Sequence, residues 1–244
     1  MKVSEIPKVR LHQLNQGLVP TSNLTEWLAV DQAELLSAVG LQFESSQLLK
    51  IKTALPAVSA PKQIAWIGKQ LASIKDCDFL ETHVSDLVRC WACYARAAQT
   101  FELKKSLQAM RSFAADSHFG IREVAWMAVR EQICDQPIDA LALLAPWAKD
   151  QNPLIRRFAS EATRPRGVWA KHINVLKQDP SPARALLDCL HADTSKYVQD
   201  SVANWLNDAA KDNPAWVKKV VAEWSKKSST KETAYIIKRA TRSL

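Results

Sequence analysis

Three segments in the second half of the chain follow one pattern. They read DSHFGIREVAW from residue 116, DQNPLIRRFAS from 150 and DTSKYVQDSVA from 193, so their starts lie 34 and 43 residues apart. In each segment the aspartate is followed five residues later by Ile or Val and then by a polar pair. A pattern with a period of this length is typical of chains that stack similar units, each too small to bury its own apolar face.

Apolar spacing predicts that these units are helical. Ile64, Ile67, Leu71 and Ile74 step by three, four and three residues, as one face of a helix requires, and no stretch alternates with the period of a strand. The sequence predicts an all-α fold: a HEAT-like helical repeat solenoid with a concave basic face, in one domain over 1–244 with a basic tail at about 225–244. Early helices are predicted over 21–40, 43–55, 61–74, 79–98 and 101–115.

The stretch NPLIRRFASEATRPRGVW, residues 152–169, is the strongest functional candidate. Its apolar residues fall on one face of a helix, its charged residues occupy the rest of the cylinder, and Pro165 is expected to end the helix. Trp169 follows in a basic loop, where its ring can meet a ligand. An aromatic face beside carboxylates suits a cation.

The chain is basic, with 33 Lys and Arg against 25 Asp and Glu and a formal net charge of +8. A positive surface raises the local concentration of polyanions, of which nucleic acid is the usual one, and simple solubility is the ordinary alternative. Part of this charge lies in the tail, which is either a mobile arm that contacts phosphates or a solvated end.

Several classes of protein are disfavoured. The chain lacks GxGxxG, P-loop, GxSxG and HExxH motifs, its apolar runs are too short to span a membrane, and its amino terminus lacks the pattern of an export signal. The five cysteines are expected to be reduced thiols in a cytoplasmic protein, with Cys90 and Cys93 packed in the core. We expect neither a metal nor a cofactor.

Each charged candidate also has an ordinary structural explanation. Arg157 and Glu161 are four residues apart, as in an ion pair on a helix surface. Glu123 is equally compatible with a solvated charge, and Asp208 with a residue that caps or braces a helix. The sequence pattern alone leaves these alternatives open.

Four longer segments resemble a known family. They are LVPTSNLTEWLAVDQAELLSAV, HFGIREVAW, PLIRRFASEATRPRGVWA and DPSPARALLDCLHADTSKYVQDSVANWLNDAAKDNP. Together they resemble the DNA alkylation repair family of HEAT-like DNA glycosylases, more closely its AlkC branch than the sister AlkD branch, over roughly residues 5 to 225. The RRFASEATRPR and SVANWLND blocks are more specific than generic HEAT repeats.

This resemblance implies a monofunctional glycosylase of base excision repair that removes cationic alkylated purines, chiefly 3-methyladenine, from duplex DNA. By motif position, Glu123 and Asp208 are expected to be the catalytic carboxylates. A cationic base leaves without protonation, so the carboxylates need only stabilise the oxocarbenium-like sugar and orient water. Further residues are expected to bind substrate or DNA, three by motif position (Arg157, Glu161, Trp169) and three by the basic character of the stretch (Arg156, Arg164, Arg166).

The expected partner is double-stranded DNA containing alkylated bases, bound by a nucleoid-associated monomer without contact to a membrane. Two alternatives remain: a non-catalytic HEAT-repeat binder of distorted or branched DNA, and a protein–protein HEAT adaptor. A steep loss of DNA affinity with rising salt would separate the two DNA-binding interpretations from the adaptor. Turnover of a lesion would then separate those two from each other.

Overall fold

Helices dominate the computed structural model, which describes residues 2–42, 46–74 and 78–244. Within these ranges there are sixteen α-helices, four 3₁₀ turns and no β-strand. The α-helices are α1 Lys8–Asn15, α2 Leu24–Ala29, α3 Gln32–Gln42, α4 Ser46–Thr53, α5 Ala60–Leu71, α6 Asp86–Ala98, α7 Leu103–Ala114, α8 Phe119–Ala128, α9 Arg130–Asp135, α10 Pro137–Leu144, α11 Pro153–Ala162, α12 Asn174–Gln178, α13 Arg184–Asp188, α14 Lys196–Ala210, α15 Pro214–Lys227 and α16 Lys231–Ala240. The 3₁₀ turns are Val3–Glu5, Asp78–Glu81, Trp147–Lys149 and Ser181–Ala183.

The helix predicted over 21–40 is divided into α2 and α3. Val30 has an extended backbone, with φ −63° and ψ 127°. Asp31 then begins the next helix, because its Oδ1 accepts the backbone N–H of Ala33 at 2.8 Å and that of Glu34 at 3.0 Å. A side-chain oxygen that satisfies the first free N–H groups starts a new helix where apolar periodicity alone indicates continuity.

The other early helices differ from the predicted ones mainly at their ends. The helix predicted over 79–98 is divided in the same way, into a 3₁₀ turn and α6. The one predicted over 61–74 ends at Leu71, and the one over 101–115 is α7. The first three residues of the helix predicted over 43–55 lie outside the described residues, and α4 covers the remainder up to Thr53.

The chain divides into two compact units. The first comprises Met1–Phe101 with Asp116–Ala128, and the second comprises Glu102–Ala115 with Val129–Leu244. The candidate stretch 152–169 therefore lies within the second unit.

The first unit is built around α6, which packs against α5 and α8. Gly68 permits a close approach of α5, because a Cβ at this position would lie 2.6 Å from the carbonyl oxygen of Trp91. Cys90 and Cys93 are fully buried on α6, and burial raises the pKa of both thiols well above the ordinary value. Both cysteines are core residues, as the apolar pattern predicted.

The second unit has α14 at its centre, packed against both α11 and α16. The indole Nε1 of Trp205 donates to the carbonyl oxygen of Thr163 at 3.0 Å, which ties α14 to the end of α11. Ile236 and Ala240 of α16 are fully buried, and the Ala240 carbonyl accepts Asn207 Nδ2 at 3.2 Å. The basic segment thus contains a docked helix, where the sequence suggested a mobile arm or a solvated end.

The repeated aspartates have one structural task in all three segments. Each accepts, through Oδ1, the backbone N–H two residues later, at 2.7 Å from Asp116, 2.8 Å from Asp150 and 2.8 Å from Asp193. This turn leads directly into a helix and satisfies N–H groups that lack partners there. The repeat found in the sequence is therefore a repeated helix start.

The first residue of each polar pair folds back onto the same turn. Arg122 Nη1 donates to the carbonyl of Asp116 at 2.8 Å, and Arg156 Nη1 donates to that of Asp150 at 2.9 Å. In the third segment the amide of Gln199 reaches the carbonyl of Asp193 at 2.8 Å. In all three segments, the position after the repeated Ile or Val thus carries a long side chain, and its N–H groups donate to the carbonyl of the repeated aspartate.

Candidate functional site

The candidate stretch forms α11 and the segment after it. Asn152 caps the helix, since its Oδ1 accepts the N–H of Leu154 at 2.9 Å. The predicted apolar face, which includes Ile155 and Phe158, is buried. The helix ends at Ala162, ahead of the proline that was expected to stop it.

A buried charge network joins this segment to α14. Arg164 Nη1 donates to Glu161 Oε1 at 2.6 Å, and its Nε and Nη2 both donate to Asp208 Oδ2, at 2.9 and 2.8 Å. The other oxygen of Asp208, Oδ1, lies 3.4 Å from Nζ of the exposed Lys211. Asp208 is 5% exposed, so Arg164 holds a carboxylate that has almost no solvent around it.

The second oxygen of Glu161 is bound from α14 as well. Ser201 Oγ donates to Glu161 Oε2 at 2.7 Å, and Ser160 Oγ donates in turn to Ser201 Oγ at 2.8 Å. Arg157 Nη2 lies 3.5 Å from Glu161 Oε2, and its guanidinium carbon lies 4.7 Å from the ring centroid of Tyr197. Arg157 and Glu161 do form the i, i+4 pair that the sequence left open as an alternative, but this pair is buried and part of a larger network instead of lying on a helix surface.

Two arginines keep Glu161 ionised. Burial alone would raise the pKa of this carboxyl, but the charges of Arg157 and Arg164 and the hydrogen bonds from Ser201 and Arg164 hold it below its ordinary value. Burial likewise opposes the charge on Arg164, and the carboxylates of Glu161 and Asp208 raise its pKa. Such a network holds the Asp208 side chain in a fixed orientation through its two hydrogen bonds from Arg164, and a carboxylate fixed in this way can stabilise a developing positive charge.

Trp169 combines exposure with an uncommon backbone. Its φ is +56°, in the left-handed region that non-glycine residues adopt at a cost, and the residue is 59% exposed. Strained residues of this kind are concentrated at ligand sites and switches. A large exposed ring in a strained loop, next to a buried charge network in sequence, therefore makes the segment a candidate binding element.

The remaining arginines of the stretch have partners near the surface. Arg156 donates to both oxygens of Asp193, at 2.6 and 2.9 Å, and the partner raises the pKa of this arginine. Arg166 Nη2 donates to both oxygens of Asp212 at 2.9 Å. Arg156 thus joins two repeats, and Arg166 joins the loop to the end of α14.

Glu123 lies in the first unit, on α8. It is half-buried, and its Oε2 accepts Trp126 Nε1 at 2.8 Å. The other sequence-predicted site residues lie in the second unit, where the structure brings Arg157, Glu161, Arg164 and Asp208 together. Arg156, Arg166 and Trp169 lie outside that network.

Sequence reasoning missed Ser201, Tyr197 and Arg130. Ser201 stands in the SVANWLND block, and its position seven residues before Asp208 places it two turns away on the same helix face. Tyr197 and Arg130 gave no local signal, because their partners lie far away in the chain, at separations that run for Arg130 from 32 residues to Ala162 to 41 residues to Lys171.

Two further expectations can be compared with the described ranges. Among residues 2–42, 46–74 and 78–244, no group of three or more His, Cys, Asp or Glu side chains could hold a metal ion. None of the helices in that part of the chain is both long enough and apolar enough to cross a membrane.

The fold defines the class, an all-α protein of HEAT-like helical repeats, as predicted. Residues 121–244, which include α11, α14 and the charge network, match the family model of the DNA alkylation repair enzyme. The chain belongs to this family, and the resemblance seen in the sequence is confirmed.

Known relatives agree with this assignment. The alkylpurine DNA glycosylase AlkC of Pseudomonas fluorescens, solved bound to DNA containing an abasic site analog, superposes with a TM-score of 0.70 at 25% identity, covering 100% of this chain and 64% of that one. AlkD2 of Streptococcus mutans shares the fold, with a TM-score of 0.61 and 23% identity over 86% of this chain and 99% of its own. The uncharacterized protein YhaZ of Bacillus subtilis (strain 168) is 38% identical over 143 residues, which are 58% of this chain and 37% of that protein. The chain thus spans less than two thirds of AlkC and of YhaZ.

Proposed function

We propose that the protein is a monofunctional DNA glycosylase that hydrolyses the N-glycosidic bond of cationic alkylated purines, such as 3-methyladenine, in double-stranded DNA. The observation that carries the proposal is the buried network that ends in Asp208, within the residues that match the family of DNA alkylation repair enzymes. The neighbour AlkC, an alkylpurine DNA glycosylase solved with DNA, supports the same reaction class.

The chemistry requires negative charge and no acid. Methylation at N3 makes adenine cationic, so the bond to the sugar breaks without proton donation to the base. The sugar then acquires oxocarbenium character, which a nearby carboxylate stabilises, and a carboxylate also orients the attacking water. We assign these roles to Asp208 and Glu123.

The rest of the network prepares Asp208 for this role. Arg164 binds Oδ2 with two N–H groups, which leaves Oδ1 with the longer contact to the flexible Lys211. Glu161 fixes Arg164 from the other side. We therefore propose that Arg164 and Glu161 act on the substrate through Asp208, by holding its orientation.

Trp169 and the other arginines are proposed to contact DNA. The exposed ring of Trp169 can attract a cationic base or the sugar through its negative face. Arg157 is proposed to hold a phosphate beside the lesion, and Arg156 and Arg166 to contact the backbone, with the net charge of +8 favouring association. We expect a monomer that acts on nucleoid DNA in the cytoplasm.

The test is the release of free base from methylated duplex DNA under single-turnover conditions. Wild type is expected to release 3-methyladenine, while Asp208→Asn and Glu123→Gln lose most of the rate and retain DNA affinity. Asp212→Asn is the matched control, because this exposed carboxylate follows α14 closely and pairs with Arg166 of the loop. It is expected to excise normally.

Other outcomes of this test would contradict the proposal. Unchanged excision by both carboxylate variants would reject the assigned residues. No release by wild type, together with tight binding to distorted or branched DNA, would identify a non-catalytic DNA-binding protein. Absence of DNA binding as well would favour a protein–protein adaptor.

A further inference from the structure

Arg130 is a buried arginine that contacts the loop around Trp169, residues 163–171, from outside that loop. It is the first residue of α9, and it is 2% exposed. Its Nη1 donates to the carbonyl of Ala162 at 2.7 Å, its Nη2 to that of Arg164 at 2.6 Å and its Nε to that of Lys171 at 2.8 Å. One guanidinium therefore binds three backbone carbonyls of a single segment.

These three carbonyls lie at both ends of the loop formed by residues 163–171. Ala162 ends α11, Arg164 is the second residue of the loop, and Lys171 ends it beyond Trp169. One further backbone hydrogen bond, from Ile173 N to Pro165 O at 3.0 Å, closes the same loop. The strained backbone of Trp169 is thus held between two anchors that share Arg130.

An arginine is well suited to this position. The last carbonyls of a helix have no partner within it and favour a cation, and the planar guanidinium can serve several acceptors in a fixed geometry. Burial lowers the pKa of Arg130 to about 10, which still leaves the side chain charged at neutral pH. A lysine could keep the charge but not the three directed contacts.

We propose that Arg130 is a positioning residue, which fixes the backbone of Arg164 and of the Trp169 loop and thereby sets the geometry of Asp208 and of the exposed ring. The Arg164 carbonyl binds Arg130, and the Arg164 side chain binds Asp208, so the same residue transmits the constraint. The expected effect on excision rests on the function proposed above. The effect on the loop does not.

The first readout needs no substrate. In protein labelled with 5-fluorotryptophan, the ¹⁹F resonance of Trp169 is identified by its loss in Trp169→Phe. In Arg130→Gln this resonance is expected to shift and broaden, while that of Trp91, in the core of the first unit, is unchanged. The Trp169 resonance of Arg130→Lys should lie between that of wild type and that of Arg130→Gln.

The second readout is excision by the same variants. Arg130→Gln is expected to lower the single-turnover rate between about 10- and 100-fold, since small displacements of positioned groups have effects of this size. DNA affinity should remain within about threefold, because Arg130 is 2% exposed and its guanidinium is directed at backbone carbonyls inside the protein. Arg130→Lys is expected to recover part of the rate.

Two controls separate positioning from loss of stability. Cys134→Ala removes a weak contact to the same Lys171 carbonyl, at 3.6 Å, and should leave both readouts unchanged. Thr233→Val removes a buried hydrogen bond of α16 to the His191 carbonyl, so it should lower the melting temperature while leaving the Trp169 resonance and the excision rate of folded protein intact.

The two proposals fail in different ways. An unchanged Trp169 resonance in folded Arg130→Gln would overturn the positioning role, and so would an unchanged excision rate. If wild type releases no base, the glycosylase proposal fails, and the resonance alone then decides whether Arg130 orders the loop.

Discussion

Glu161 is a carboxylate that is 4% exposed and remains ionised because arginines at positions 157 and 164 face it. In the sequence it looked like one member of an ordinary i, i+4 pair. Burial changes the energetics, since removing one partner from a buried charge network leaves the others without compensation. The residue is therefore expected to contribute to stability as well as to the orientation of Asp208.

Glu161→Gln is expected to lower the free energy of unfolding by about 3 kcal/mol at pH 7, because Arg157 and Arg164 lose their shared carboxylate. Urea unfolding measures this difference. Glu223→Gln is the control, since Glu223 pairs with Arg184 at the surface with 45% of its side chain exposed. An equally small effect for both substitutions would contradict the buried network.

Wild type and Glu161→Gln also test how the free energy of unfolding depends on pH. The folded pKa of Glu161 lies below the ordinary 4.5, so its contribution is fully present above pH 4.5 and is lost as the pH falls through 4.5 toward the folded value. The stability gap between wild type and Glu161→Gln should therefore narrow on acidification.

At the scale of elements, the repeat is a turn that starts a helix. Asp193 accepts the N–H of Ser195, and both of its oxygens also bind Arg156 of the preceding repeat. Asp150 is similar, since it caps its own turn and pairs with Arg111 of α7. The aspartates thus connect one helix start to an earlier helix.

Asp193→Ala is expected to cost about 2–3 kcal/mol, from the missing cap and from the unpaired guanidinium of Arg156. Asp179→Ala is a matched control, because Asp179 accepts the N–H of Ser181 in the same geometry, at 2.9 Å, but binds no arginine among the described residues. Thermal unfolding should show a clearly larger loss of stability for Asp193→Ala. Equal losses would mean that the ion pair adds nothing to the turn.

At the scale of the whole molecule, positive charge is concentrated near the carboxyl end. Residues 211–244 contain nine Lys and Arg and three Asp and Glu, a surplus of six within a chain whose net charge is +8. Lys231 and Lys238 are exposed on α16, the helix that packs against α14, and neither forms an ion pair with a described residue. Lys218 and Lys219 are exposed on α15.

We expect DNA affinity to fall steeply as the salt concentration rises. We also expect the lysines of α16 to contribute more to this salt dependence than those of α15. Lys231→Gln with Lys238→Gln should flatten the dependence of log K on log salt by about 0.9 for each phosphate that these lysines neutralise in the wild type. Lys218→Gln with Lys219→Gln is the control, which removes the same charge. A larger effect of the α15 pair would contradict this expectation.

Local patterns in the sequence were sufficient for the helical class, the repeat and the family. These properties depend on residues a few positions apart, because helix periodicity, caps and motif blocks are short-range. Stretch 152–169 was also found in this way, since charge, proline and tryptophan lie close together in it. The break at Asp31 was not visible in these patterns, because one side-chain cap outweighed a continuous apolar spacing.

The partners of the charged side chains were decided only by the tertiary structure. Arg164 meets Asp208 across 44 residues, and Arg130 meets the carbonyl of Arg164 across 34, distances over which sequence spacing carries no geometric information. Burial then decides the role of each group. A carboxylate on a solvated helix and one enclosed by two guanidiniums, such as Glu161, can have the same local sequence. They differ in pKa and in their contribution to the stability of the fold. The sequence by itself determined which charged and aromatic residues are available, and the packing of α11 against α14 decided which of them lie together.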